Sequence, residues 1–172
     1  MGLNLWIQLK MHGVHVPHHK NTAAMPAVIM DCPKSVTIPM SMHIGTPARP
    51  LVKVGEYVKM GQRIAEADGF VSSPVHASIS GTVKKIDSFL ASNGRRIPAI
   101  TIESDGLMAR CESLEPPVYH NQQEFLQALT DSGIVGLGGA GFPTSVKLTV
   151  KNMAKIDAVI VNGAECEPYI TS

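Results

Sequence analysis

The sequence predicts a β module followed by the opening of an α/β domain. Three observations carry that reading. Between Met40 and Glu103, short runs rich in Val, Ile and Thr are punctuated by glycines. Turn signals recur there at intervals of about eight to twelve residues, the spacing of small sandwiches and barrels. After Asn121 the apolar residues change from strand-like to helix-like spacing.

Residues 1–40 read as an irregular N-terminal segment. Pro17, Pro26, Pro33 and Pro39 interrupt any long helix, and only Ser35-Val36-Thr37-Ile38 reads as a short strand, ending at Pro39. Residues 41–115 read as the β module. Its predicted strands include Leu51–Val54, Arg63–Glu66, Thr82–Ile86 and Ala99–Ile102, with turns at Gly55-Glu56, Gly61-Gln62, Asp68-Gly69, Ser80-Gly81 and Asn93-Gly94. Residues 116–172 read as the start of an α/β domain. A linker after Cys111 contains Pro116-Pro117, and Asn121 with Glu124 forms an N-cap pattern before Phe125, Leu126 and Leu129. Gly133 stands where a C′ glycine ends a helix. Ile156–Val161 is a continuous apolar run, as in a buried parallel strand.

Composition narrows the function classes. A hydrophobic fraction of 44% with 17% charged residues is ordinary for a globular protein. A formal net charge of +1 gives no electrostatic footprint for nucleic acid or an anionic membrane surface. No run approaches the roughly 18 apolar residues of a membrane span. The opening Met1–Lys10 lacks the charged leader and apolar core of a secretory signal. Cys32, Cys111 and Cys166 are widely separated, so neither a disulfide framework nor an iron–sulfur cluster is expected within these residues, and the reading is a reducing cytoplasm. His12, His15, His18 and His19 cluster, but without a second ligand set they read as a surface loop rather than a zinc site.

Two stretches resemble the halves of biotinyl and lipoyl carrier domains. They are Val52–Glu66, with Gly55 and Gly61, and Ser73–Val83, with Gly81. The three glycines are expected where a flattened sandwich turns sharply. Carriers bear their modified lysine on the hairpin between the halves. Here that hairpin reads Ala67-Asp68-Gly69-Phe70, so no amide to biotin or lipoate can form. The module is therefore expected to be a barrel-sandwich hybrid without a swinging arm, used for packing or docking. His76 reads as a structural histidine.

Gly136-Leu137-Gly138-Gly139-Ala140-Gly141 has four glycines in six residues. It is not a dinucleotide fingerprint, because a helix end rather than a strand precedes it. Backbone free of side chains lets a planar ring or phosphate come close and exposes N–H donors. Lys147, six residues on, can supply a cation.

Gly138-Gly139-Ala140-Gly141-Phe142-Pro143-Thr144, with Lys147, resembles the flavin loop of the 51-kDa flavoprotein family of respiratory complex I. Asn162-Gly163-Ala164-Glu165-Cys166-Glu167-Pro168 resembles that family's acidic loop. The resemblance to RnfC-type subunits covers nearly the whole chain. It takes in His12–Pro17, Ile38-Pro39-Met40-Ser41-Met42-His43-Ile44-Gly45, the β module, the glycine loop and Asn162–Thr171.

This resemblance implies a peripheral subunit on the cytoplasmic face of a membrane complex, with other subunits as partners. Such complexes couple electron flow between ferredoxin and NAD to sodium or proton transport. FMN and NAD(H) are the implied cofactors, with two 4Fe-4S clusters in a later domain. Gly136, Gly138, Gly139 and Gly141 would cradle FMN, and Lys147 would meet its phosphate. Asn162, Glu165 and Glu167 would hold the flavin ring or order the nicotinamide. Ala164 departs from the aspartate of the complex I loop, which removes one polar anchor. The sequence is expected to stop inside the flavin domain and to be inactive alone. Two other readings stay open: a non-catalytic docking module, and a flavin-dependent cobalamin reductase, which shares both loops but not the domain order.

Overall fold

A computed structural model describes residues 17, 19–137 and 139–162. Met30–Lys155 form one compact unit, and the described residues before and after it belong to a second.

The compact unit is built on seven antiparallel strands in two sheets. Strands β1 (Ser35–Pro39), β7 (Arg96–Ser104), β6 (Gly81–Leu90) and β3 (Tyr57–Val58) form one sheet in the order β1-β7-β6-β3. Strands β2 (Arg49–Pro50), β4 (Arg63–Glu66) and β5 (Val75–His76) form the other, in the order β2-β4-β5. Alternating apolar residues face inward from both. Met40, Val58, Ile64, Val83, Ile100 and Ile102 are fully enclosed, with Ile38, Val75 and Ile79 beside them. This is the expected barrel-sandwich core.

Short loops close the strands by named bonds. The β6–β7 hairpin turns through Asn93-Gly94, where Ala91 N–H donates to the Arg95 carbonyl at 2.9 Å and Gly94 has φ +76°. Two further turns share one design. Lys53 N–H donates to the Glu56 carboxylate, and Lys59 N–H to the Gln62 amide oxygen, each at 3.0 Å. Gly55 and Gly61 supply the positive φ within them. A polar network then pins the end of β7. The Tyr57 hydroxyl and the Ser80 hydroxyl each donate to Asp105 at 2.7 Å, and Ala109 N–H donates to Ser80 Oγ at 2.8 Å.

Four expectations need correction. Leu51–Val54 is not a strand. Pairing stops at β2, because the turn built on Lys53 and Glu56 reverses the chain at once. Ser35–Pro39 lies outside the expected module limits, yet it pairs with β7 over five residues from Ser35↔Glu103 to Pro39↔Ala99, and Met40 is in the core. Gly81 does not turn the chain. It begins β6, where the Glu103 carbonyl comes too close for any Cβ. Finally, Ile156–Val161 is not a strand. Val159, Ile160 and Val161 are 84–91% exposed. A buried parallel strand requires hydrogen-bonded neighbours, and this run has none among the described residues.

Candidate functional site

The glycine loop is reached through helix α1 (Gln122–Asp131). Asn121 caps it as its sequence predicts, its side-chain oxygen accepting the Glu124 N–H at 2.9 Å. Glu124 in turn accepts the His120 N–H at 2.7 Å. Gly133 ends the helix at φ +68°, and its missing Cβ admits the Pro74 carbonyl, which would otherwise lie at 2.7 Å. An Arg63–Asp131 ion pair of 2.8 Å fastens the same helix end to β4. It is largely solvent-exposed and contributes little by itself.

The loop that follows closes on itself. Thr144 N–H donates to the Ile134 carbonyl at 2.9 Å, and Gly136 N–H to the Phe142 carbonyl at 3.0 Å. Val135 and Pro143 form a bridge between them. Pro143 is fully buried, whereas Leu137 at the loop's crown is 95% exposed. The short helix α2 (Thr144–Leu148) then carries Lys147.

The sequence-predicted site residues fall into three groups. Gly136, Gly139, Gly141 and Lys147 lie together in the compact unit. A Cβ on Gly136 would stand 3.8 Å from Lys147 Nζ, and one on Gly139 would meet nothing within 4 Å. Gly141, at φ +65°, differs. Its Cβ would lie 2.6 Å from the Met42 carbonyl oxygen and 2.9 Å from His43 Cα. Asn162 is exposed and belongs to the second unit, so it is not placed relative to the loop. Gly138, Glu165 and Glu167 lie outside the described residues, as does the histidine cluster apart from His19.

Chemically, these groups fit one wall of a flavin site. Among the described residues, the Lys147 side chain has no ion-pair partner, so its charge is available to a phosphate. Gly139 leaves room for an approaching ring or phosphate. The Gly136 N–H is spent on Phe142, and a Cβ there would already touch Lys147 and Phe142, so Gly136 brings the loop close to Lys147 rather than offering a donor. Sequence reasoning missed the loop's contact with the β module. Nothing in the residue types of the Met42–Gly45 run shows what lies against it.

Two clefts flank α1. One, of about 730 Å³, is lined by Arg63, His76, Leu114, Glu124 and Asp131 among others. Burial, then the Arg63 charge, lowers the His76 pKa, as expected of a structural histidine half-enclosed by packing. The other, of about 320 Å³, lies between the Ala67–Ser72 hairpin and α1 and α2. The glycine loop lines neither.

Comparison with known proteins assigns the two halves. A family model described as "RnfC Barrel sandwich hybrid domain" matches residues 9–107. One described as "Nuo51 FMN-binding domain" matches residues 129–172. The chain is similar to the C subunit of the Na(+)-translocating ferredoxin:NAD(+) oxidoreductase complex of Acetobacterium woodii, 46% identical over 167 residues. That match covers 93% of this chain and 37% of the relative. The C subunit of the proton-translocating ferredoxin:NAD(+) oxidoreductase complex of Clostridium ljungdahlii is 42% identical, over 93% of this chain and 36% of its own length. The C subunit of an ion-translocating oxidoreductase complex of Pseudomonas aeruginosa is 42% identical, over 93% and 21% respectively. The chain thus spans little more than a third of these relatives at most. With its β module matched across residues 9–107, over half of its 172 residues, the chain belongs to the RnfC family.

Proposed function

We propose that this chain serves in a membrane-associated electron-transport complex that couples electron transfer between ferredoxin and NAD to ion translocation. Its subunit accepts or delivers electrons through FMN and iron–sulfur clusters, the latter held outside these residues. The observation that carries this reading is the order of the two matches: an RnfC barrel, then an FMN-binding domain whose glycine loop stands beside Lys147. That order also separates the chain from flavin-dependent cobalamin reductases.

In this reading an N-terminal segment leads into a barrel that takes in Ser35–Met40 and runs to about residue 115, and residues 116–172 are the start of the flavin domain. Gly136, Gly138, Gly139 and Gly141 form the loop that cradles the flavin, and Lys147 holds the phosphate as a point charge. Asn162, Glu165 and Glu167 contact the flavin ring or order NAD(H). When bound, FMN supplies hydride exchange with nicotinamide and one-electron release to clusters. Other subunits of the complex are the partners, and the place of work is the cytoplasmic face of the membrane. No helix among the described residues is long and apolar enough to cross a membrane.

The test is FMN titration by fluorescence quenching on the full-length subunit and on this 172-residue chain. The full-length subunit is expected to bind FMN noncovalently, and the chain weakly or not at all. A flavin site buries about 70–90% of such a ligand, and these residues form one wall. Lys147→Ala in the full-length subunit is expected to cost about 1.5–3 kcal/mol of binding, the loss of a charged hydrogen bond. A full-length subunit that binds no FMN would refute the flavoprotein reading and leave the docking module.

A further inference from the structure

The run Met42-His43-Ile44-Gly45 has no part in the proposed chemistry, yet the glycine loop rests on it. Its own conformation is strongly held. The His43 side chain is buried. His43 Nε2 accepts the Ser73 N–H at 3.1 Å and lies 3.2 Å from the Ser73 carbonyl. In the neutral ring this leaves the proton on Nδ1, which donates to the Ile44 carbonyl at 3.1 Å. Three more contacts lock the run to the returning hairpin. Thr46 N–H donates to the Val71 carbonyl at 3.0 Å, and the Ser72 hydroxyl donates to the Thr46 carbonyl at 2.8 Å. Gly45, at φ +100°, has no Cβ to strike the Val71 carbonyl oxygen, which would stand 2.0 Å away.

Onto this platform Gly141 sets its backbone directly. Its Cβ position is occupied by backbone atoms of Met42 and His43, which cannot rotate aside as a side chain would. Any side chain at 141 must lift the loop from the barrel. Gly139 has the opposite surroundings, with nothing within 4 Å. The glycines of the loop are therefore glycine for different reasons. Gly139 leaves open space, whereas Gly141 is where the barrel takes hold.

We propose that the Met42–Gly45 run of the barrel is the seat that fixes the glycine loop, with His43 and Gly141 as positioning residues for the flavin. This rests on the flavin reading above and deepens it. The barrel is then part of the cofactor site rather than a separate docking domain. A carrier-like module without the carrier lysine thus offers the run before β2, tied to the Val71–Ser73 segment, as a backing plate.

The test uses the full-length subunit with FMN as probe, and compares Gly141→Ala, His43→Leu and His43→Gln with the parent. Two readouts are taken: FMN affinity with the visible absorption and circular dichroism of the bound flavin, and amide exchange at Gly136 and Thr144. Gly141→Ala and His43→Leu are expected to weaken FMN about tenfold or more and to alter the flavin spectrum. They should also speed exchange at Gly136 and Thr144 while β7 stays protected. His43→Gln keeps an acceptor for the Ser73 N–H and should recover most of the parent behaviour. Should one variant lose β7 protection, the other decides. Parent-like affinity, spectrum and loop exchange in Gly141→Ala and His43→Leu would overturn the proposal. If His43→Gln behaved no better than His43→Leu, the role given to the Ser73 bond would be overturned. If the parent itself binds no FMN, the flavin reading fails, and the seat is then judged on loop exchange alone.

Discussion

An added Cβ at Gly81 would lie 1.9 Å from the Glu103 carbonyl oxygen, on a backbone already at φ +154°. Strand β7 runs alongside and cannot move without breaking its pairing with β1. Gly81→Ala is therefore expected to destabilise the fold by about 2–4 kcal/mol, from strain and overpacking together. Gly94→Ala is the contrast. It has positive φ but open space, so only the backbone cost of about 1 kcal/mol applies. Urea unfolding midpoints of the two variants measure the difference, and equal shifts would refute this account of Gly81. His76 offers a second test at the same scale. Burial and then Arg63 lower its pKa from the ordinary 6.5, with Asp131 opposing. The unfolded chain therefore binds this proton more readily than the folded one, and stability rises with pH. The contribution is complete above 6.5 and is lost as pH falls from there toward the lowered value. Unfolding curves at descending pH should show this slope in the parent and lose it in His76→Gln. An unchanged slope in that variant would exclude His76 as its source.

Among the elements, the β4–β5 connection is the most informative. It spans Ala67–Pro74 without a lysine, and its tip presents Phe70, 75% exposed. Co-expression with a biotin or lipoate ligase should leave the intact mass unchanged, and a stoichiometric adduct on this module would refute the reading. Helix α1 was legible because its signals are local: Asn121 and Glu124 at one end, Gly133 at the other. Leu51–Val54 misled because its composition is that of a strand, while the turn at its end is set by Gly55 at positive φ and by bonds from Lys53 and Glu56. Ile156–Val161 misled for another reason. Its apolar run carries strand propensity, but a strand exists only with partners to pair with.

At the scale of the molecule, protection should follow burial. Strand β7 is hydrogen-bonded on both sides, between β1 and β6, and carries Ile100 and Ile102 into the core. Helix α1 buries none of its residues fully. Native-state amide exchange is therefore expected to be slowest in β7 and at least about tenfold faster in α1. Uniformly fast exchange across Leu51–Ile102 would show that the barrel is not the stable core of this chain.

The sequence by itself determined the class of fold, most strand positions, the helix and both of its ends, and the family. All of these rest on local periodicity, turn chemistry and motifs, which act over a few residues. Tertiary structure alone decided that β1 joins the barrel sheet beside β7, that Gly81 meets a neighbouring strand, and that Gly141 rests on Met42 and His43. Each of these joins positions distant along the chain through backbone contacts, and at both glycines the decisive feature is a missing Cβ. A glycine in a sequence announces freedom, but only the folded neighbour shows whether that freedom serves a turn, a close approach or an open surface.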